Sequence, residues 1–159
     1  MKYISIFLLL IGICSCQPKT HIFIVRHAEK IDNSRDPELS ESGKMRSANL
    51  AIILKKEHIT EVYSTNYKRT LQTAQPICDL IGGAPIIYTP DSLNYLAAKL
   101  ISKMKPILVV GHSNSTLSLL DAMGIQHRMK VISDDDYSNL FKVTISKKGK
   151  KKRLEELKF

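Results

Sequence analysis

One short run constrains the fold of this chain more than any other: Ile107, Leu108, Val109 and Val110 are apolar without interruption, and Gly111 follows them. A strand that alternates polar and apolar residues can leave one face in water. A strand that is apolar at every position must be covered on both faces, as in parallel sheets with helices on either side. The run therefore predicts a buried strand inside a layered α/β domain.

The rest of the chain alternates strand-like and helix-like segments, as such a fold requires. The second helix contains Pro76, which is expected to kink or restart it, and Gly82 and Gly83 are expected to end it. Together the segments predict an α/β fold, a three-layer α/β/α sandwich with a mostly parallel central sheet. We expect further strands at 20–25, 61–63, 85–88 and, as an alternating edge strand, 141–145, and helices from the N-cap Ser40 to about 56, at 67–81, 92–104 and 115–124.

The first residues are set apart from this domain. Met1 and Lys2 give a short positive start, and the apolar run that follows, 3–13, is too short to span a bilayer comfortably. The run is typical of the hydrophobic region of an export signal, although an ordinary cleaved signal or a hydrophobic first strand are alternatives. We predict a signal peptide at 1–15 and one domain at 16–159.

The end of this segment resembles the lipobox of bacterial lipoproteins, in the order Ile13, Cys14, Ser15, Cys16. The resemblance implies cleavage before Cys16, a diacylglycerol thioether on that residue, and an exported protein held by its lipid anchor in a membrane of a bacterial cell envelope. Cys14 would leave with the signal. Cys78 would then be the one free thiol, without a disulfide partner, and its apolar helical surroundings indicate a core residue rather than a nucleophile.

The chain is basic, with 24 Lys and Arg against 15 Asp and Glu, a formal net charge of +9. Much of the excess lies in the run from Lys147 to Arg153, which predicts a solvated, partly disordered turn and basic tail at about 147–159. Because the predicted anchor is close to the domain, this run is also a candidate contact with anionic lipid headgroups. Aromatic residues make up 6% of the chain and none is interleaved with the run, so nucleic-acid binding is not expected.

Candidate catalytic residues follow the strands directly. Arg26 and His27 come after the first strand, His112 follows Gly111 after the apolar strand, and Arg69 comes shortly after the second strand. Parallel strands bring their carboxyl ends to one edge of the sheet, so these side chains should meet there. Guanidinium groups bind phosphate oxygens and disfavour protonation of a nearby imidazole, and a neutral imidazole can attack phosphorus.

A zinc site is the main alternative use of paired histidines. No Cys/His pair in the sequence has the spacing of zinc ligands, and two flanking arginines would repel a dication. His21, His58 and His127 match no motif and are given no role.

Four ordered motifs are similar to those of the histidine phosphatase (phosphoglycerate mutase-like) superfamily. Ala28 replaces the usual glycine of the family's Arg-His-Gly motif, and the resemblance covers nearly all of the chain after Lys19. The matching segments are Ile24–Glu29, Leu39–Gly43, Val62–Ala74 and Val109–Asn114.

The resemblance implies that His27 is the nucleophile and forms a phosphohistidine intermediate, which water then hydrolyses. It implies that Arg26, Arg69 and His112 hold the phosphoryl group, with Asn33 as a weaker contact. It implies no metal and no organic cofactor.

The general acid is less evident from the motifs, because Ser113 stands beside His112 where some members carry an acid. Asp91 is the best candidate, with the N-cap of the following helix as its structural alternative. Glu29 is a further candidate, unless it faces solvent or pairs with a neighbouring base. Without a strong acid, good leaving groups such as phosphohistidine or aryl phosphates would be favoured.

The sequence thus predicts a compact phosphatase that hydrolyses phosphomonoesters or phosphohistidine, with a phosphorylated small molecule or phosphoprotein as substrate. Mutase-type phosphoryl transfer is one alternative. A catalytically weak, anion-binding lipoprotein is another.

Overall fold

The computed structural model describes residues 18–146 and 149–159, so the predicted signal peptide and the lipid acceptor Cys16 lie outside the described residues. The described chain alternates strands and helices through most of its length, which confirms the α/β class. Its elements are β1 (Lys19–Arg26), α1 (Glu41–Leu54), β2 (Glu61–Ser64), α2 (Lys68–Ile81), β3 (Ile86–Ile87), α3 (Leu93–Lys103), β4 (Ile107–Gly111), α4 (Ser113–Ala122), β5 (Asn139–Ser146) and β6 (Lys151–Lys158).

The six strands form one sheet in the order β3-β2-β4-β1-β5-β6. The pairs β3–β2, β2–β4 and β4–β1 are parallel, whereas β1–β5 and β5–β6 are antiparallel. The sheet is therefore mostly parallel, as predicted. β4 lies in the middle of the parallel part, and all five of its residues are buried, which explains its uninterrupted apolar sequence.

Helices cover both faces of the sheet. Successive residues of β1 alternate between the two faces: Ile22 and Ile24 belong to one apolar core, while Phe23 and Val25 belong to the other. The first core includes buried residues of α3 and α4, and the second includes buried residues of α1 and α2. The predicted three-layer sandwich is confirmed.

Local signals set the helix ends. The Ser40 hydroxyl accepts a hydrogen bond from the backbone N–H of Gly43 at 3.1 Å, so Ser40 caps α1 as predicted. Gly82 ends α2 with a φ of 63°, a left-handed conformation that glycine adopts without strain. α2 runs unbroken through Pro76, so the proline does not restart the helix.

The last strands differ from the sequence prediction. The segment 141–145 was expected at the edge of the sheet, but β6 pairs along all of β5 and takes the edge position instead. Residues 151–158, expected as part of a solvated tail, are therefore a strand. The sequence did not predict this strand because its residues are highly charged. An edge strand contributes only one face to the core, and in β6 the residue that packs there is Leu154.

Two further observations bear on the sequence predictions. Cys78 is fully buried in the core between α1, α2 and the sheet, which confirms it as a core residue. Among the helices of residues 18–146 and 149–159, none is long and apolar enough to cross a membrane.

Candidate active site

The site forms where β1 and β4 end side by side. The parallel register pairs Arg26 with Gly111, and the backbone N–H of His27 donates to the Gly111 carbonyl at 2.9 Å. This pairing brings the next residues of the two strands, His27 and His112, to the same edge of the sheet. Their rings meet edge to face, with centroids 5.5 Å apart.

The ring of His27 is fixed in one tautomer. Its Nδ1 lies 2.8 Å from the carbonyl oxygen of Ala28, and because a carbonyl only accepts, Nδ1 must carry the proton. In the neutral ring, the lone pair is then on Nε2. His27 is only 4% exposed, so a neutral imidazole with one free ring nitrogen stands in a nearly dry environment.

Burial lowers the pKa of His27 to about 3. The hydrogen bond to Ala28 opposes this shift, while the nearby Arg26, His112 and Arg69 lower the pKa further. The ring is therefore neutral at any ordinary pH, which is the form that can act as a nucleophile.

His112 is held by the loop that follows β2. Its Nε2 is hydrogen-bonded to the Thr65 hydroxyl at 3.0 Å, and Thr65 in turn donates to the hydroxyl of Thr70 at 3.0 Å. The backbone N–H of His112 donates to the Ser115 hydroxyl at the start of α4. Burial, followed by the charges of Arg69 and Arg26, lowers the pKa of His112 to about 4.

Arg69 comes from the first turn of α2. Its guanidinium lies 4.5 Å from the centroid of the Tyr67 ring, and that ring meets His112 edge to face at 5.1 Å. Nη1 donates to the Arg35 carbonyl at 3.4 Å and lies 3.9 Å from a carboxylate oxygen of Asp36. Tyr67 therefore connects the second arginine to the second histidine.

Arg26 has a comparable aromatic partner. Its guanidinium lies 4.4 Å from the centroid of Tyr137, whose ring is 5.9 Å from that of His27. Nη1 donates to the Ser133 carbonyl at 2.6 Å, and Nη2 donates to the Asp134 carboxylate at 3.4 Å. Nε is buried without a hydrogen-bond partner. Arg26 thus joins the end of β1 to the loop before β5.

These side chains open onto one cavity of about 400 Å³. Its lining combines the four predicted phosphate-site residues with a further lysine, small polar groups and one carboxylate. The lining residues are Arg26, His27, Lys30, Ser34, Pro37, Tyr67, Arg69, Pro90, His112, Ser113, Asn114 and Asp134. Cations predominate, so the cavity suits an anion with a phosphate's charge.

Two motif residues support the site without lining it. The hydroxyl of Thr73 in α2 accepts a hydrogen bond from the backbone N–H of Ala28 at 2.9 Å. Gly43 packs so closely on the loop after β1 that a Cβ there would overlap the carbonyl oxygen of Glu29. That same carbonyl accepts from the backbone N–H of Ser40. The Leu39–Gly43 motif therefore positions the loop that carries His27.

Three predicted site residues lie elsewhere. Asn33 is exposed, and its neighbour Ser34 lines the cavity in its place. Asp91 is exposed in a short 3₁₀ turn, and its neighbour Pro90 lines the cavity. The N-cap of α3 is Ser92, so the structural alternative given for Asp91 was wrong.

Glu29 pairs with a basic side chain, which was the predicted alternative to a role as general acid. Its carboxylate lies 2.7 Å from Nη2 of Arg46 on α1. Burial would raise the pKa of Glu29, but the hydrogen bonds and charge of Arg46 outweigh it and the pKa is lowered. Glu29 therefore stays ionised and is a poor proton donor.

Sequence reasoning missed Thr65, Tyr67, Tyr137 and Asp134. Thr65 and Tyr67 lie inside a recognised motif but carry no chemistry that marks them from sequence alone. Tyr137 directly follows the acidic run 134–136, and such a run in a chain of net charge +9 was a usable signal. Within residues 18–146 and 149–159, no three His, Cys, Asp or Glu side chains are grouped as a metal site.

Comparison with protein families finds a match to the histidine phosphatase superfamily (branch 1) over residues 22–94. The matched region contains His27 and Arg69 and ends before His112. Phosphoserine phosphatase 1 of Hydrogenobacter thermophilus is 38% identical over 65 residues, which are 36% of this chain and 31% of that protein. The chain therefore aligns with about a third of the length of this relative.

Solved structures resemble nearly the whole chain. A mycobacterial glucosyl-3-phosphoglycerate phosphatase superposes with a TM-score of 0.70 at 14% identity, covering 88% of this chain and 99% of that one. The protein histidine phosphatase SixA, complexed with tungstate, superposes with a TM-score of 0.70 at 22% identity, covering 87% and 97%. At such identities the likeness establishes the shared α/β fold.

Proposed function

We propose that this chain is a member of the histidine phosphatase superfamily, whose model it matches over residues 22–94, and that it is a phosphatase that transfers a phosphoryl group to His27 and then to water. The observation that carries the proposal is the state of the His27 ring. Its Nδ1–H is held by the Ala28 carbonyl, its Nε2 lone pair is free, and burial keeps it neutral. A buried, neutral and oriented imidazole beside two guanidiniums is suited to nucleophilic attack on phosphorus.

In the first step, Nε2 of His27 forms a bond to phosphorus and the bond to the leaving group breaks. The ring then carries positive charge, which the hydrogen bond from Nδ1–H to the Ala28 carbonyl stabilises. Arg26 and Arg69 neutralise the phosphoryl oxygens, where negative charge is concentrated in the transition state. His112 lies against the nucleophile, where it can contact the same oxygens.

In the second step, water attacks phosphorus, the bond to Nε2 breaks, and inorganic phosphate leaves. His27 returns to its neutral form. The cavity is open, so water can reach the phosphorylated ring once the leaving group has departed.

For the substrate, we propose phosphomonoesters or phosphohistidine. The open cavity accommodates a small phosphorylated molecule or a side chain presented by a phosphoprotein. The names of the similar proteins support both classes, since one is a phosphoserine phosphatase and another a protein histidine phosphatase.

For location, we propose anchoring through a lipid on Cys16, with the active site turned away from the membrane. Cys16 is three residues before Lys19, the first residue of β1. The site is at the other end of β1, about 23 Å away at the usual rise of a strand. Lys19 pairs with Ser146, and Ser146 pairs with Lys151, so the basic start of β6 lies at the anchored end.

The function is tested by hydrolysis of p-nitrophenyl phosphate by wild-type protein, His27→Asn and His58→Asn. His58 is exposed, lies outside the cavity and has a φ of 50°, which asparagine tolerates. We expect His27→Asn to abolish turnover and His58→Asn to keep it. Phosphate binding by a wild-type protein without turnover would instead indicate an anion-binding lipoprotein.

A further inference from the structure

The cavity has one unexplained feature, a carboxylate in its cationic wall. Among the described residues that line it, Asp134 is the single acidic side chain. It belongs to the loop between α4 and β5, on a segment that none of the recognised motifs includes.

Arg26 fixes the position of this loop. Its Nη1 donates to the Ser133 carbonyl at 2.6 Å, and its guanidinium stacks on the Tyr137 ring, so the residues on both sides of Asp134 are attached to the end of β1. The backbone that carries Asp134 is therefore attached to the strand end that leads into His27.

The carboxylate itself is held loosely. It is 3.4 Å from Nη2 of Arg26, a long ion pair, and its side chain is 99% exposed. An ion pair with a solvent-exposed partner contributes little to stability. Asp134 can thus turn from Arg26 towards a bound substrate when the guanidinium engages the phosphoryl oxygens.

A carboxylate beside a phosphate site would weaken substrate binding if it remained charged, because like charges repel. A carboxyl group at this position can instead pass a proton to a leaving oxygen and accept one from water, which the two arginines and two neutral histidines cannot readily do.

We propose that Asp134 is the general acid that protonates the leaving group, a role that rests on the proposed phosphatase function. As Nε2 of His27 bonds to phosphorus, the electron pair of the breaking P–O bond stays on the ester oxygen. The carboxyl proton of Asp134 moves to that oxygen, which leaves as an alcohol, and Asp134 becomes a carboxylate.

The second step restores the acid. The Asp134 carboxylate accepts a proton from the attacking water as the new P–O bond forms and the P–N bond to His27 breaks. Phosphate leaves, and both His27 and Asp134 return to their starting protonation states. One carboxyl acts as the acid in the first step and as the base in the second, because the second step is the chemical reverse of the first with water in place of the alcohol.

The other candidate acids are less suited. Asp91, in a 3₁₀ turn, is absent from the residues that line the cavity, whereas Asp134 is among them. Glu29 is bound to Arg46, which keeps it ionised. Asp91 instead provides a matched control, since it is an exposed aspartate near the same rim.

The experiment compares wild-type protein, Asp134→Asn and Asp91→Asn by kcat/KM on two substrates. p-Nitrophenyl phosphate has a good leaving group that needs little protonation, whereas phosphoserine has an alkoxide leaving group that needs it. General acid catalysis is worth about 10²–10⁴-fold. We expect Asp134→Asn to lower kcat/KM at least about a hundredfold on phosphoserine and only slightly on p-nitrophenyl phosphate, with Asp91→Asn unchanged on both.

An equal loss on both substrates, or no loss on either, would overturn the acid assignment while leaving the phosphatase function intact. Wild-type turnover of p-nitrophenyl phosphate with none of phosphoserine would also overturn it, since no functional acid would then be present. Absence of wild-type activity on both would overturn the phosphatase function itself, and the acid role with it.

Discussion

The rings of His27 and His112 meet edge to face with centroids 5.5 Å apart, although they follow different strands. Two imidazolium ions at this distance would repel each other, and two guanidiniums add to the positive field. The arrangement is compatible with folding because burial keeps both rings neutral, with pKa values of about 3 and about 4.

Catalysis should not lose its nucleophile in mildly acidic solution. Because the pKa of His27 is lowered to about 3, its ring stays neutral well below the ordinary histidine value. Arg69 contributes to the lowering in both rings, so Arg69→Met should raise the pKa of His27 and of His112. NMR titration of the two ring C–H signals measures this. Unchanged pKa values in the variant would contradict the electrostatic part of the account.

The free energy of unfolding should decrease as the pH falls through the same range. The folded-state pKa values of His27 and His112 are below the unfolded value, so the unfolded chain binds more protons as pH falls below about 6.5. The free energy of unfolding should therefore decrease as pH falls from about 6.5 towards about 3, and these two groups should have little effect above about pH 7.5. Urea denaturation across this range, with His27→Asn showing a shallower slope than wild type, would confirm the linkage.

The stacking of Arg26 on Tyr137 should be needed for anion binding. The guanidinium lies 4.4 Å from the ring centroid, and a cation–π contact is worth about 0.5–2 kcal/mol. Tyr137→Leu should therefore weaken inhibition by vanadate by roughly two- to thirtyfold, whereas Tyr137→Phe should stay close to wild type. Tyr95→Leu removes a ring that is 72% exposed and serves as the control. Equal behaviour of the Phe and Leu variants would refute the role of the ring face.

Gly43 should be required for a stable loop after β1. A Cβ at this position would overlap the Glu29 carbonyl, whereas one at Gly83 would make ordinary contacts of 3.5 and 3.6 Å with Ile81. We expect Gly43→Ala to lower the free energy of unfolding by about 1–3 kcal/mol, the usual cost of overpacking, and to reduce activity because the loop carries His27. Gly83→Ala should do neither. Denaturation curves and turnover measured on both variants distinguish the two positions.

The basic start of β6 should strengthen contact with anionic membranes. Lys150 and Lys151 are exposed at the end of the sheet where β1 begins. Lys44 and Lys68 are exposed in the first turns of α1 and α2, at the opposite end of the sheet. Replacing the first pair by Gln should lower binding of the full chain to vesicles that contain anionic lipid, more so at low salt. Replacing the second pair removes the same charge and should have less effect. Equal loss in both variants would show that net charge alone matters.

Much of the fold and of the candidate site was predictable because the sequence shows where the strands end. The apolar run of β4 and the alternation of elements predicted a mostly parallel sheet, with the residues after β1 and β4 at the same edge. The structure adds that β1 and β4 are neighbours, which brings the rings of His27 and His112 into contact. Arg69 followed from its place in the first turn after β2.

The parts that sequence did not predict depend on contacts between distant segments. Tyr137 and Asp134 belong to a loop without periodicity, and the hydrogen bonds of Arg26 and its contact with the Tyr137 ring connect that loop to the site. β6 was missed because its charged sequence has no alternating pattern, while its pairing with β5 stabilises it as a strand. Asp91 was favoured from its position along the chain, but the 3₁₀ turn directs Pro90 to the cavity instead.

Nε2 of His27 should become covalently phosphorylated during turnover. Mixing the protein with p-nitrophenyl phosphate, quenching in alkaline denaturant and mapping the modified residue by mass spectrometry detects this intermediate. We expect phosphate on His27 in wild-type protein and none in His27→Asn. Phosphate on another cavity residue, such as Ser113, or turnover that persists in His27→Asn, would contradict it.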